Sequence, residues 1–100
     1  MVGSEVAVVI PAYNESSTIG EVVRVASKYA RVIVVDDCSQ DGTGKVAEKN
    51  GAIVFCNSSN KGYEYSLTRG FAEAVRLSVV GIISMDADGE HDPTDLKKYI

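Results

Sequence analysis

Two aspartates separated by one residue, Asp86 and Asp88, directly follow an apolar run that ends at Met85. Both carboxylates can reach one small ion, and Mg²⁺ or Mn²⁺ prefers carboxylate and phosphate oxygens and commonly holds a substrate diphosphate. Glu90 and His91 are close enough in sequence to add a ligand or to hydrogen-bond to one. A bare pair of this kind also occurs by chance in solvated turns, so the pattern alone leaves both interpretations open.

A second acidic pair, Asp36 and Asp37, also ends a β-rich run. A carboxylate at a strand end can accept hydrogen bonds from the N–H groups of a base or from ribose hydroxyls. Neighbouring residues of an extended chain point to opposite sides, so the two are expected to have different roles. Ser39 and Asp41 are placed to cap the helix that follows, and for Asp41 we favour that role.

A third polar segment runs from Pro11 to Glu15 after the first apolar run. Tyr13 can stack on a base, and Glu15 can accept a hydrogen bond from a ribose or a base. The alternative is a plain turn, in which Pro11 fixes φ and Asn14 with Ser16 starts the next helix.

The segments between these loops predict the elements that must position them. Four β-branched runs predict buried strands, and three segments between them have helical spacing. The strands are expected at Glu5 to Ile10, Arg31 to Asp36, Ala52 to Cys56 and Val79 to Met85, and the helices at Thr18 to Ala30, Gly42 to Asn50 and Tyr63 to Leu77. The alternation predicts an α/β fold of Rossmann-like type, with a mostly parallel sheet and helices on both faces. Ligands of such sheets bind beyond the carboxyl ends of the strands, where the polar loops lie.

Several helix details are also predicted. Thr18 and Glu21 have the spacing of a capping box, and Gly51 suits the left-handed position after the second helix. The buried stripe of the third helix is expected to contain Leu67, Phe71, Ala74 and Val75, and a fourth helix is expected to start at Asp92 and Pro93.

The composition suits one globular domain, with 45% hydrophobic and 24% charged residues in 100. A net charge of −4 argues against a nucleic-acid partner and would repel any phosphorylated ligand. A bound cation or local helix N-termini must therefore offset that repulsion. Cys38 and Cys56 lack CxxC or zinc-ligand spacing and are expected to be reduced. With no signal-peptide pattern and no apolar span near ~20 residues, a cytoplasmic location is predicted.

The three loops together resemble family 2 glycosyltransferases with the GT-A fold, most closely those of the dolichyl- or polyprenyl-phosphate mannose synthase type. The segments that carry the resemblance are VVIPAYNESSTIGEVV, VIVVDDCSQDGT and MDADGEHDPTDL, in the family's order and over nearly the whole chain. The resemblance implies a nucleoside pocket lined by Pro11, Tyr13, Glu15, Val35 and Asp37. It also implies that Asp86, Ala87 and Asp88 meet the diphosphate and its metal, with Glu90 as a third ligand where the family often has Gln. The chain departs from the family pattern at Cys38, where Gly is common, and at Asn60-Lys61-Gly62-Tyr63-Glu64, where a GKG-type turn is usual.

The same resemblance implies a function. The expected reaction is the inverting transfer of a sugar from GDP-mannose or a UDP-sugar to an acceptor such as polyprenyl phosphate. It is expected to depend on Mg²⁺ or Mn²⁺. The enzyme is expected to make peripheral contact with a membrane surface. No catalytic residue is assigned, because the acceptor-activating group is expected beyond residue 100. We expect the chain to be the N-terminal, donor-binding half of a longer enzyme, inactive alone, with an unpaired sheet edge that favours a homodimer.

Two other classes of protein share part of the pattern. A receiver-like signalling domain would use Asp86 as its phosphosite and would hold Mg²⁺ with Asp36 and Asp37. Receivers, however, place their acidic pair after the first strand, where this chain has Pro11 to Glu15. A haloacid-dehalogenase-like phosphatase would need its nucleophile in that same loop, so both alternatives fit less well than a glycosyltransferase.

Overall fold

Each predicted strand forms in the computed structural model, which describes residues 6–88. The elements are β1 Val6–Ala12, α1 Ser16–Ala26, β2 Arg31–Asp36, α2 Thr43–Lys49, β3 Ile53–Cys56, α3 Tyr63–Arg76 and β4 Gly81–Ser84. The strands lie in the order β3-β2-β1-β4, and all of these neighbours pair in parallel. The predicted α/β class is confirmed. The helix predicted at Asp92 and Pro93 lies outside the described residues.

The central strand β1 is buried along its whole length, which explains its near-continuous apolar sequence. Side chains of alternate residues enter opposite cores because successive residues of a strand point to opposite faces. Val8 and Ile10 pack in the core that contains the buried residues of α1 and α2. Ala7 and Val9 pack in the second core, which contains Ala74 of α3. Helices therefore cover both faces of the sheet, as the sequence predicted.

The face that α3 turns to the sheet differs from the predicted stripe. Its buried residues are Ser66, Gly70 and Ala74, so only Ala74 of the predicted set is fully buried. Phe71 and Val75 are 37% and 67% exposed, and their predicted burial was wrong. The helix lies so close to the sheet that a Cβ on Gly70 would be 2.2 Å from Cγ1 of Val9. Small residues are required where α3 contacts the sheet. The large apolar residues Phe71 and Val75 therefore lie away from the buried face of the helix.

The helix ends agree with the sequence in one case and differ in another. Gly51 follows α2 with φ +112°, a conformation that favours glycine, as predicted. The capping box predicted for Thr18 and Glu21 was wrong, because α1 begins earlier, at Ser16. Glu21 instead forms an ion pair with Arg24 at 2.8 Å. The hydroxyl of Thr18 donates a hydrogen bond to the carbonyl of Ala87.

Within residues 6–88, no helix has the length and apolar character needed to cross a bilayer.

Candidate functional site

The loops after β1 and β2 are joined by hydrogen bonds between side chains of one and backbone groups of the other. The N–H of Asn14 donates to Oγ of Ser39 at 2.8 Å, and the N–H of Gln40 donates to Oδ1 of Asn14 at 2.9 Å. The N–H of Glu15 donates to Oγ1 of the buried Thr43, also at 2.9 Å. The two loops thus form one surface. The sequence indicated only a turn role for Asn14, because its partners lie 25 and 26 residues away.

Asp41 connects the first turns of two helices. Its Oδ1 accepts the backbone N–H of Thr43 at 3.1 Å and also the Thr43 hydroxyl, at the start of α2. Its Oδ2 accepts the N–H of Ser16 at 3.1 Å, at the start of α1. The predicted cap position was wrong, because the N-cap of α2 is Gly42, but Asp41 does bond to Thr43, the first residue of that helix. The Thr43 hydroxyl, followed by the Ser16 and Thr43 N–H groups, holds the pKa of Asp41 at about 2 despite an opposing effect of desolvation.

We expect the stability of Asp41→Asn to fall less steeply than that of the parent chain as the pH is lowered. A carboxylate whose pKa is lower in the folded than in the unfolded chain stabilises the fold above the unfolded pKa of about 3.9. That contribution is lost as the pH falls through the folded value of about 2. Melting temperatures at pH 7, 4 and 2 should therefore fall less in the variant than in the parent chain. Glu48→Gln, which removes another exposed carboxylate of the α2 region, is the control; an equal change in both variants would contradict the role of Asp41.

A cavity of about 280 Å³ opens at the carboxyl ends of β1 and β2 beside the start of α3. Its wall consists of Pro11, Ala12, Tyr13, Asp37, Asn60, Gly62, Tyr63 and Ser66. Asp37 is only 4% exposed, and its carboxylate accepts three hydrogen bonds from the segment between β3 and α3. Its Oδ1 accepts from the Asn57 amide at 2.8 Å and from the Lys61 N–H at 2.7 Å, and its Oδ2 accepts from the Gly62 N–H at 2.9 Å.

These contacts keep Asp37 charged. Burial by itself would raise the pKa of Asp37, but the hydrogen bonds from Lys61, Asn57 and Gly62, with the charge of Lys61, outweigh it and hold the pKa below its usual range. An ionised carboxylate accepts about four hydrogen bonds. The three from the protein therefore leave room at Oδ2 for one donor from a ligand in the cavity.

Asp36 serves the opposite face of the sheet, as the alternation of β2 predicted. Its Oδ1 accepts the N–H of Ser39 at 3.0 Å, and its side chain lines a different cavity beside α2. A Cβ on Gly44 would lie 2.8 Å from Oδ2 of Asp36, so glycine is required where α2 passes the carboxylate. Asp36 therefore bonds within the loop after β2, and Asp37 lines the cavity beside the start of α3.

The loop that carries Asp86 and Asp88, here called the acidic loop, follows β4 and is hydrogen-bonded to β1 and α1. The N–H of Met85 donates to the carbonyl of Val9 at 3.0 Å, and the hydroxyl of Thr18 donates to the carbonyl of Ala87 at 2.7 Å. Asp86 and Asp88 lie on either side of that anchored carbonyl. They line a cavity of about 300 Å³ that is separate from the one beside α2. Its other lining residues are Pro11, Tyr13, Glu15, Tyr63 and Ala87.

The two cavities are adjacent, because Pro11, Tyr13 and Tyr63 line both. They lie where the strand order reverses between β1 and β4, which is the usual ligand crevice of an open parallel sheet. Asp37 stands at one end of this crevice, and the aspartates of the acidic loop stand at the other.

Asp86 and Asp88 are the side chains at the acidic end that could ligate a hard divalent cation. Asp86 and Asp88 line one cavity, and residues 6–88 contain no cluster of three or more acidic, histidine or cysteine side chains arranged to bind a metal. Mg²⁺ commonly uses one or two carboxylates and takes its other ligands from water and substrate phosphates. The third predicted ligand, Glu90, lies outside the described residues, as does His91.

Two residues differ from their sequence-based assignments. Val35 is fully buried among Ala7, Val9 and Ala74, and it lines neither cavity. Its side chain packs in the core between the sheet and α3. Tyr63 was predicted to begin the third helix and to depart from the family pattern but was given no site role, yet it is 54% exposed and lines both cavities. Its position at the start of α3 was predicted, but its place beside the cavities was not visible in the sequence.

The strand order argues against the receiver alternative. Receiver domains have the order 2-1-3-4-5, in which the third strand lies on the other side of the first. Here β3 lies beyond β2, and β4 is the strand that crosses to the other side of β1. The strand before Asp86 thus neighbours β1, as the phosphosite strand of a receiver does, but the acidic pair Asp36 and Asp37 follows β2, whereas a receiver has its pair after the first strand.

Comparison with known proteins agrees with this geometry. Residues 7–100 match the family described as Glycosyl transferase family 2. A polyprenol monophosphomannose synthase of Mycolicibacterium smegmatis is 33% identical over 102 residues, which cover 93% of this chain and 38% of the relative. A UDP-N-acetylglucosamine–dolichyl-phosphate N-acetylglucosaminyltransferase of Methanococcus voltae is 31% identical over 111 residues, which cover 92% of this chain and 44% of the relative. The chain spans about two fifths of the length of the curated relatives it matches.

A solved structure shares the fold. The glucosyl-3-phosphoglycerate synthase of Mycobacterium tuberculosis, in complex with Mn²⁺, UDP-glucose and phosphoglyceric acid, has a TM-score of 0.66 and is 26% identical. The match covers 85% of this chain and 33% of that protein. The likeness confirms the predicted GT-A type of fold.

Proposed function

Because this chain belongs to glycosyl transferase family 2, we propose that it is the donor-binding part of a metal-dependent, inverting glycosyltransferase that uses a nucleoside-diphosphate sugar. The observation that carries the proposal is the crevice formed by the two adjacent cavities. One end presents the buried carboxylate of Asp37 and the other presents Asp86 and Asp88. A nucleoside diphosphate has the matching arrangement, with hydrogen-bond donors on its base at one end and phosphates at the other.

At the nucleoside end, Asp37 accepts a hydrogen bond from a base N–H or a ribose hydroxyl. Its three protein donors fix its orientation before a ligand arrives, which lowers the entropic cost of binding. Tyr13 and Tyr63 are 46% and 54% exposed and flank the cavity, where either ring is available to stack on the base. Pro11 forms part of the wall between the nucleoside end and the phosphate end.

At the phosphate end, Asp86 and Asp88 are the residues that would hold Mg²⁺ or Mn²⁺ beside the donor diphosphate. The bound cation supplies Lewis-acid stabilisation of the negative charge that develops on the departing nucleoside diphosphate. Thr18 keeps the loop in place by donating to the Ala87 carbonyl, so the two aspartates do not have to be ordered on binding. The proposal that metal binds here also accounts for how a chain of net charge −4 retains an anionic donor.

The acceptor we propose is a lipid-linked phosphate. Two relatives carry polyprenol or dolichyl phosphate in their names, and both align over more than nine tenths of this chain. A phosphate oxygen is already a nucleophile, so such an acceptor does not require a carboxylate base from residues 6–88. The proposal implies that the whole protein works at a membrane surface without this part crossing the membrane.

Calorimetric titration of GDP and of UDP, each with and without Mn²⁺, tests the proposal. We expect one nucleotide to bind more tightly when Mn²⁺ is present, because Asp86 and Asp88 would hold the cation, which would offset the negative charge of the phosphates. The double variant Asp86→Ala, Asp88→Ala should lose this metal-dependent gain and keep the metal-free affinity. Its control is Glu21→Ala, Glu73→Ala, which removes the same charge from exposed or partly buried helix positions outside the crevice.

Either of two results would refute the proposal. One is the absence of binding for both nucleotides while the chain remains folded by circular dichroism. The other is an equal metal-dependent gain in the double variant and in the parent chain.

A further inference from the structure

A buried polar network lies behind the nucleoside cavity, with Asn57 at its centre. Asn57 is 5% exposed and follows β3. Its Nδ2 donates to Oδ1 of Asp37 at 2.8 Å and to Oγ of Ser66 at 2.9 Å. Its Oδ1 accepts from Nη1 of Arg69 at 2.9 Å. The side-chain amide is thus bonded on both its nitrogen and its oxygen.

Arg69 determines which way the Asn57 amide faces. A guanidinium can only donate, so the group it bonds must be the amide oxygen. The amide nitrogen is consequently directed at Asp37, which needs a donor. Arg69 is itself held in place, because Nη1 also donates to the Cys56 carbonyl at 2.9 Å and the guanidinium lies 5.7 Å from the centre of the Phe55 ring.

The network limits how Asp37 can meet a ligand. Asn57 and the Lys61 N–H both bond to Oδ1, so the acceptor position that remains is at Oδ2. Without the Asn57 donor, only the N–H groups of Lys61 and Gly62 would hold the carboxylate, and it would have one fewer neighbour favouring its charged form. The carboxylate would then be less firmly oriented when a ligand binds.

We propose that Asn57, oriented by Arg69, is a positioning residue that fixes the Asp37 carboxylate for nucleoside recognition. The inference rests on the donor-binding function proposed above. Neither residue lines the cavities of the crevice, so neither is expected to touch the ligand. Both act through Asp37.

The test compares three variants by nucleotide titration without metal over a range of pH. Asn57→Asp keeps the oxygen that Arg69 needs but places a second carboxylate against Asp37, so nucleotide binding should weaken roughly tenfold or more near neutral pH. The pH below which binding is lost should also move upward. Arg69→Met should weaken binding by releasing the amide, and Arg69→Lys, which keeps a donor-only head, should recover part of the loss.

A purely structural role would lower the melting temperature in all variants without moving the pH profile. Other titratable or charged groups near Asp37 include its chain neighbours Asp36 and Cys38, Lys61 before α3, Tyr13 and Tyr63 on the cavity wall, and Arg69 behind Asn57. Lys61→Gln therefore serves as a separate measure of the lysine charge. If Asn57→Asp does not fold, the comparison of Arg69→Met with Arg69→Lys decides the question.

Carbon-13 NMR titration of the Asp37 carboxyl in the ligand-free chain separates this inference from the proposed function. We expect its midpoint at higher pH in Asn57→Asp than in the parent chain, even if no nucleotide binds. An unchanged midpoint in folded Asn57→Asp, or equal nucleotide affinity in Arg69→Met and the parent chain, would overturn the inference. A parent chain that binds no nucleotide, together with a shifted midpoint, would refute the proposed function and leave the role of Asn57 standing.

Discussion

Asp37→Asn is expected to weaken nucleotide binding by roughly 100-fold, the equivalent of about 3 kcal/mol. The substitution removes a charged acceptor that is 4% exposed and faces the nucleoside cavity. It also places an NH₂ group where three N–H donors converge on the carboxylate oxygens. In one orientation the new NH₂ group faces the N–H donor of Gly62. In the other it faces the N–H donors of Asn57 and Lys61. Isothermal titration with the nucleotide that the parent chain prefers gives the affinity ratio.

The adjacent residue provides a matched control for this prediction. Asp36→Asn makes the same chemical change one position earlier, on the opposite face of the sheet. An asparagine oxygen there can still accept the Ser39 N–H, so the loop should keep its form. We expect nucleotide affinity in Asp36→Asn to remain that of the parent chain. Equal losses in the two variants would show that general damage to the sheet, and not loss of the Asp37 acceptor, weakens binding.

Gly70→Ala is expected to destabilise the fold by about 3 kcal/mol, although alanine favours helices by about 1 kcal/mol over glycine. The added Cβ would lie 2.2 Å from Cγ1 of Val9 and 3.3 Å from Cγ2 of Val35. Both valines are fully buried in the second core, so neither has space to move away. Overpacking therefore outweighs helix propensity. Urea denaturation followed by circular dichroism measures the change in the free energy of unfolding.

Two further variants show whether the contact with Val9 is the cause. Thr68→Ala changes an exposed position of the same helix and should leave stability within about 0.5 kcal/mol of the parent. Val9→Ala removes the group that the new Cβ would strike. The double variant Val9→Ala, Gly70→Ala should then lose less stability than the sum of the two single losses. Simple additivity, or a stable Gly70→Ala chain, would show that α3 can move away from the sheet.

Much of the fold could be predicted because its signals are local. The buried strands form unbroken β-branched runs, and β2 has the predicted bounds, Arg31–Asp36. Parallel pairing follows from the alternation of strands and helices, since right-handed crossovers bring the carboxyl ends of the strands to one edge. The loops that follow β1, β2 and β4 therefore had to meet, and the structure places Tyr13, Asp37 and Asp86 along one crevice.

Residues whose roles depend on distant partners were not predictable in this way. Asn57 and Arg69 are ordinary polar residues in the sequence, and their importance lies in hydrogen bonds that connect β3, α3 and Asp37. Thr43 looked like part of a helix start, yet its hydroxyl accepts the N–H of Glu15 from another loop. No periodicity or motif encodes such pairings, because they depend on the angle and depth at which elements pack.

The sequence by itself determined the order of strands and helices along the chain, the parallel class of the sheet and the edge at which its polar loops gather. Those properties follow from backbone conformation and hydrophobic periodicity, which act over a few residues. Only the tertiary structure decided which side of α3 meets the sheet, that Val35 belongs to the core, and that Tyr63 lines the crevice. The physical reason is close packing. The distance between α3 and the sheet is set by the smallest residues in contact, here Gly70 against Val9. That contact fixes which side of the helix is buried.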